Sequence, residues 1–175
     1  VVPHRPWSVG DPSHFDPDQL DLPPNLASTR DSRDGLLGYP PRPYRLQNTE
    51  STWEQFASYL AEIEVLDKQV GNSLKMLEET GQSEHTIVIF TSDHGDMLGS
   101  HGMFRKQRPW AESLRVPFLV RHPQVRQPRT DHTPVDAPDL MPTLLSLADL
   151  PIPDAVQGTD FSMTITEGRP SAINS

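Results

Sequence analysis

The sequence predicts an α/β fold, on three observations: a long stretch with helical apolar spacing, an unbroken β-branched apolar run soon after it, and a polar turn where that run ends. The helix is expected over 51–81. Trp53, Phe56, Leu60, Ile63, Val70, Leu74 and Leu77 recur at spacings of three, four or seven, which places them on one face and leaves Glu62, Glu64, Lys68 and Glu78 mostly outward. Ser51-Thr52-Trp53-Glu54 has capping-box spacing, in which Ser and Glu satisfy each other's amides, and Gly81 is the stop signal.

Thr86-Ile87-Val88-Ile89-Phe90-Thr91 lacks alternation, as expected of a strand buried on both faces. Val116-Pro117-Phe118-Leu119-Val120 is a second strand, with Pro117 at its start or on an edge. Between Asp136 and Leu150 an Asp cap and early prolines indicate a short helix. Residues 1 to about 50 are dense in proline, aspartate and arginine, so extended connections and turns are expected there. The interleaved Trp7, Phe15, Leu20, Leu22, Leu36, Leu37 and Tyr39 favour a loop pinned to a folded body over a disordered linker.

The 175 residues suit one domain, and 19 prolines make it loop-rich. A net charge of -9 argues against nucleic acid or an anionic membrane as the main partner, so an anionic substrate would need a local positive site. No run approaches the ~18 apolar residues that span a bilayer. Without cysteine, disulfides, thiolate metal sites and a Cys nucleophile are excluded within these residues. Val1 rather than Met stands first, so the true start is expected upstream, and compartment and oligomeric state stay open.

Chemistry concentrates in Thr91-Ser92-Asp93-His94-Gly95-Asp96, at the end of the first strand. Ligands of open α/β sheets bind outside the carboxyl ends of strands, where a carboxylate and an imidazole can share one ion. A polar turn that caps the next element is the other reading. Gly99-Ser100-His101-Gly102-Met103-Phe104-Arg105-Lys106 follows, a glycine-rich loop whose lysine could meet an anionic ester, unless Arg105, Lys106 and Arg108 are simply solvated.

Together these pieces resemble the sulfatase family of the alkaline-phosphatase-like superfamily. The run Thr86 to Arg121 resembles the family's strand, metal-binding turn, lysine loop and next strand, in order. Tyr59 to Leu77 is similar to the preceding helix, Pro3-His4-Arg5-Pro6-Trp7 to its Pro-His-x-Pro-aromatic motif, and Val135 to Leu150 to its Asp-x-x-Pro-Thr-Leu segment. The chain then divides into a Pro-rich region carrying the Pro-His motif (1–50), a helix (51–81), the strand–turn–loop–strand section (86–121) and a closing segment (135–160).

The resemblance implies a three-layer α/β/α sandwich with a central mixed sheet, only partly represented in this chain, and metal-dependent hydrolysis of a sulfate monoester. It implies that Asp93 and His94 ligate one divalent cation, calcium, although many members carry Asn at the position of His94. Lys106 matches the lysine that contacts the sulfate oxygens, and His4 the histidine that binds on the leaving-group side and can supply a proton. A sulfated small molecule or sulfated sugar is the implied substrate, and a formylglycine the implied nucleophile. No Cys or Ser followed by x-Pro-x-Arg occurs here, so the nucleophile half is expected to lie outside this chain. Two other readings stand beside it: a phosphate or phosphonate monoester hydrolase of the same superfamily, and a non-catalytic fragment or decayed homologue.

Overall fold

A computed structural model describes residues 9–16, 19–21, 23–25, 49–103 and 105–169. The Pro-His motif with His4, and residues 28–48 of the Pro-rich region, lie outside the described residues. Contacts divide the chain into two compact units, one of residues up to Gly81 together with Thr91–Phe118, the other of Gln82–Phe90 together with the residues from Leu119 onward.

The first unit is built on helix α1, Thr49–Glu79. Its start lies two residues ahead of the expected one, so Ser51 stands inside the helix and not at its cap. A Ser-x-x-Glu spacing also recurs within helices, where it has no capping meaning. The end is as expected: the Gly81 amide bonds the Glu78 carbonyl at 3.0 Å, and Gly81 takes a φ of 71°.

The buried stripe of α1 is rotated from the expected one. Ala57, Ala61 and Glu62 are buried, while Ile63 is exposed. The cause is the segment that follows the Pro-His motif. A Cβ on Gly10 would lie 2.3 Å from the carbonyl carbon of Ala61, so the backbone there rests directly on the helix and small residues face each other. Glu62 Oε1 accepts from the Val9 amide at 2.6 Å and from the Gly10 amide at 3.4 Å. A buried carboxylate must be bonded, and these amides are why Glu62, expected outward, points in. Next in the chain, Asp11 caps a 3-10 turn at Pro12–His14, and His14 Nδ1 lies 2.9 Å from Glu64 Oε2. Phe15 and Leu20, two of the expected pins, are half-buried. After the turn and loop described below, the short helix α2, Ala111–Leu114, completes this unit.

Strands β1, Val88–Thr91, and β2, Phe118–Arg121, which belong to the second unit except for Thr91 and Phe118, pair in a two-stranded sheet, and each is shorter at its start than expected. Pro117 stands just before β2, consistent with a proline that cannot donate to a ladder. β1 is half-buried without alternation and ends in an exposed Thr91, so the expected full burial is not found. Two strands leave each one edge and part of each face uncovered among the described residues.

The expected helix in 136–150 is a 3-10 turn, Ala137–Asp139, running into α3, Leu140–Leu147. Asp136 and Asp139 form a reciprocal capping box at its start. A further helix, α4 at Ser162–Glu167, has no counterpart in the sequence reading, because six residues rich in Ser and Thr carry no helical period. α3 and α4 pack through buried Leu147 and Phe161, and the Phe161 amide donates to the Thr143 hydroxyl at 3.0 Å. The Arg129 guanidinium donates to the carbonyls of Thr164 and Ile165 in the last turn of α4, where a cation also complements the helix dipole.

Candidate active site

The turn after β1 is held from both sides. The Ser92 hydroxyl donates to the His94 carbonyl at 2.9 Å, and the Gly95 amide donates to the Ser113 carbonyl of α2 at 2.9 Å. Glycine is required at 95 by contact: a Cβ would stand 2.0 Å from the Glu112 carbonyl oxygen. The turn therefore lies against the backbone of α2, which fixes the direction in which Asp93 and His94 leave the chain.

Both nitrogens of His94 are engaged. Nδ1 lies 2.7 Å from the Gly95 carbonyl oxygen and Nε2 lies 2.7 Å from Lys106 Nζ. A carbonyl only accepts and an ammonium only donates, so the ring hydrogen sits on Nδ1 and the Nε2 lone pair faces Lys106. Asp93 Oδ2 is 3.5 Å from the same Nε2. The Asp93 carboxyl is held below the usual carboxylate range: burial, which would raise it, is outweighed by the neighbouring His94 and Lys106 side chains and by the amides of Asp93 and His94.

A carboxylate oxygen and an imidazole nitrogen at this separation fit one cation, since two adjacent ligands at about 2.1–2.4 Å from an ion stand roughly 3.0–3.9 Å apart for angles between octahedral and tetrahedral. The tautomer fits as well, because Nε2, the nitrogen near Asp93, is the one that carries the lone pair. Among the described residues no group of three or more His, Asp or Glu side chains converges, so the pair is a partial ligand set.

Lys106 reaches this pair from a loop with its own hydrogen bonds. Asp96 Oδ1 accepts from the amides of Leu98 at 2.9 Å and Arg105 at 3.0 Å, and the Met97 amide donates to the Arg105 carbonyl at 2.9 Å. Met97 and Met103 are buried beneath the loop. His101, which carries no role in the sequence reading, lies with its ring centroid 5.2 Å from that of Trp110 and with Nε2 3.8 Å from Glu112 Oε1. Arg105 is exposed, whereas Arg108 is half-buried and its amide donates to the Ser113 hydroxyl at 3.2 Å. Of the four site residues expected from sequence, the structure brings Asp93, His94 and Lys106 together, and His4 lies outside the described residues. Asp96 was overlooked; its signal was a carboxylate two residues ahead of Leu98, the spacing of an Asx turn.

Comparison with known proteins places this geometry in a family. The sulfatase family model matches residues 15–150. An ulvan-active sulfatase of Formosa agariphila is 33% identical over 98% of this chain and 32% of its own length. Among solved structures, the phosphonate monoester hydrolase of Agrobacterium radiobacter superposes with a TM-score of 0.81 at 26% identity, over 97% of this chain and 37% of that one. A protein solved in complex with its substrate D-glucosamine-2-N,6-O-disulfate superposes with a TM-score of 0.61 at 26% identity, over 74% of this chain and 27% of that one. The chain thus spans about a third of the length of the curated ulvan-active sulfatase. These neighbours have the alkaline-phosphatase-like α/β fold, a three-layer sandwich around a central sheet that this chain represents in part. On the family match, which takes in the donor pair and Lys106 alike, the chain belongs to the sulfatase family.

Proposed function

We propose that this chain carries the cation-binding and anion-binding part of an enzyme that hydrolyses a sulfate monoester, R-O-SO3 plus water giving an alcohol and sulfate. The observation that carries the reading is the meeting of Asp93, His94 and Lys106 at one point in a chain of the sulfatase family.

Asp93 Oδ2 and His94 Nε2 would hold a divalent cation, calcium, which when bound supplies positive charge to the non-bridging oxygens of the ester. Lys106 supplies a second positive charge from the protein itself. Its ammonium sits 2.7 Å from His94 Nε2, so it would stand beside any anion held by a cation on that nitrogen. His4 donates a proton to the leaving oxygen as general acid, worth roughly two to four orders of magnitude in rate. The attacking group is the hydrate of a formylglycine; this chain, with no cysteine and no Ser-x-Pro-x-Arg sequence, does not contain the residue that would form it. A sulfated sugar is the proposed substrate, since relatives are an ulvan-active sulfatase and a protein solved with a glucosamine disulfate.

A second reading, hydrolysis of a phosphate or phosphonate monoester, is favoured by one observation: the phosphonate monoester hydrolase structure matches 97% of this chain. Turnover of aryl sulfate, aryl phosphate and phosphonate monoester by the full-length protein separates the two. The sulfate reading requires the highest kcat/KM on the sulfate and its loss on chelation. A higher value on the phosphonate replaces it with the second.

A further inference from the structure

We propose that Asp96 is the positioning residue for Lys106: its single Oδ1 ties the amide next to the lysine back to the turn that carries the donor pair. The inference rests on the sulfate reading above for what Lys106 touches. It rests on the geometry of the loop for what Asp96 does.

Lys106 is the residue after Arg105, whose amide donates to Asp96 Oδ1 at 3.0 Å while the same oxygen takes the Leu98 amide at 2.9 Å. Asp96 is itself three residues past Asp93, so one carboxylate oxygen joins the two ends of the loop beside the two groups that must meet. The backbone it joins does not adopt this course of its own accord. Leu98, His101, Arg105 and Gln107 all have φ between 45° and 76°, a conformation that L residues disfavour, and four such residues cluster between 98 and 107. Strain of that kind persists only where surrounding bonds over-determine it. Removing the oxygen lets the Arg105–Gln107 stretch relax, and Lys106 Nζ then leaves its place 2.7 Å from His94 Nε2. The phenol of Tyr59 on α1 is pushed up by its burial and by the charge of Asp96.

The proposal separates two properties that a general loss of structure would change together. Asp96 Oδ1 holds loop amides, one of them next to the lysine, so its effect on anion binding should run through Lys106. The test is a double-mutant cycle in the full-length protein, with inorganic sulfate as the probe and calcium affinity and thermal unfolding measured alongside. Lys106→Ala and Asp96→Ala should each weaken sulfate binding roughly 10- to 100-fold. The double variant should be no weaker than Lys106→Ala alone, the mark of residues acting through one another. Calcium affinity of Asp96→Ala should stay within about threefold of wild type, and Asp96→Asn, which keeps an acceptor oxygen at the same place, should restore most of the sulfate affinity. If Asp96→Ala does not fold, Asp96→Ser replaces it, since a serine hydroxyl can take the Leu98 amide two residues on, as in a local turn, and is too short to hold both amides.

Sulfate losses that multiply in the double variant, or sulfate affinity unchanged in Asp96→Ala while Lys106→Ala weakens it, would overturn the proposal and leave the sulfate reading intact. Unchanged affinity in Lys106→Ala itself would overturn both.

Discussion

Glu62 turns its carboxylate inward from the middle of α1 and takes the Val9 amide at 2.6 Å. The bond ties two parts of the sequence 53 residues apart, at a side chain only 4% exposed. Glu62→Ala removes the charged acceptor of a part-buried hydrogen bond and should cost about 1.5–3 kcal/mol, while Glu62→Gln, which keeps an oxygen acceptor, should cost less. Gly10→Ala should be at least as damaging, because its Cβ meets helix backbone that cannot move aside. Urea unfolding checks both, and equal midpoints for wild type and Glu62→Ala would refute the tie.

His14 offers a pH test on the same segment. Its hydrogen bond and ion pair with Glu64 raise the imidazole above its ordinary value, with a smaller push from Asp11 opposed by desolvation. A raised folded pKa means the pair stabilises the segment fully below the unfolded pKa of about 6.5 and loses that effect as pH rises through the folded value. Titration of the imidazole resonances by NMR should show a raised midpoint that Glu64→Gln returns toward about 6.5.

Gly95→Ala should disturb the turn, because its Cβ would overlap the Glu112 carbonyl oxygen. Loss of at least tenfold in calcium affinity is expected, together with a lower melting temperature. Gly71→Ala is the control: nothing lies within 4 Å of its Cβ, and it sits inside α1, so it should stabilise by about 0.5–1 kcal/mol. Calorimetry on both variants decides the matter, and wild-type calcium binding in Gly95→Ala would show that the close contact does not hold the donor pair.

In the full-length enzyme Lys106→Ala should lower kcat/KM by roughly 30- to 1000-fold, through loss of a charged contact that strengthens in the transition state. Lys106→Arg should recover part of it, since a planar guanidinium cannot occupy the place of a compact ammonium. Arg105→Ala, at an exposed side chain, should change kcat/KM less than about tenfold. Steady-state kinetics showing Arg105 as the costly position would mean that the lysine role is assigned in the wrong register.

In the second unit, Thr143→Val keeps the shape of a buried side chain and removes the hydroxyl that accepts from Phe161. The orphaned amide should cost about 1–3 kcal/mol, read as a lower thermal midpoint.

Much of this was legible before any coordinates. The period of α1, the stop at Gly81, the capped segment at Asp136 and the position of the donor pair after β1 are local signals, each written within a few residues. What the sequence concealed depends on partners distant in the chain. Glu62 is acidic and so looked solvated; only the amides of Val9 and Gly10 explain its burial. Asp96 looked like one more polar turn residue until the Arg105 amide closed on it. α4 was too short to show a period, and it is held by Arg129, 35 residues earlier than Thr164.

Among its described residues the loop from Gly95 to Arg105 contains no helix or strand beyond a single 3-10 turn at Ser100–Gly102, yet many of its backbone hydrogens are bonded. Gly95 donates to Ser113, Met97 to Arg105, Gly99 to Met103 and Ser100 to Met97, with Leu98 and Arg105 both on Asp96. In deuterated water such a stretch should behave like regular secondary structure. Its amides should become labelled slowly and all together when the loop opens as one body, while the exposed C-terminal turns of α1 take up deuterium first.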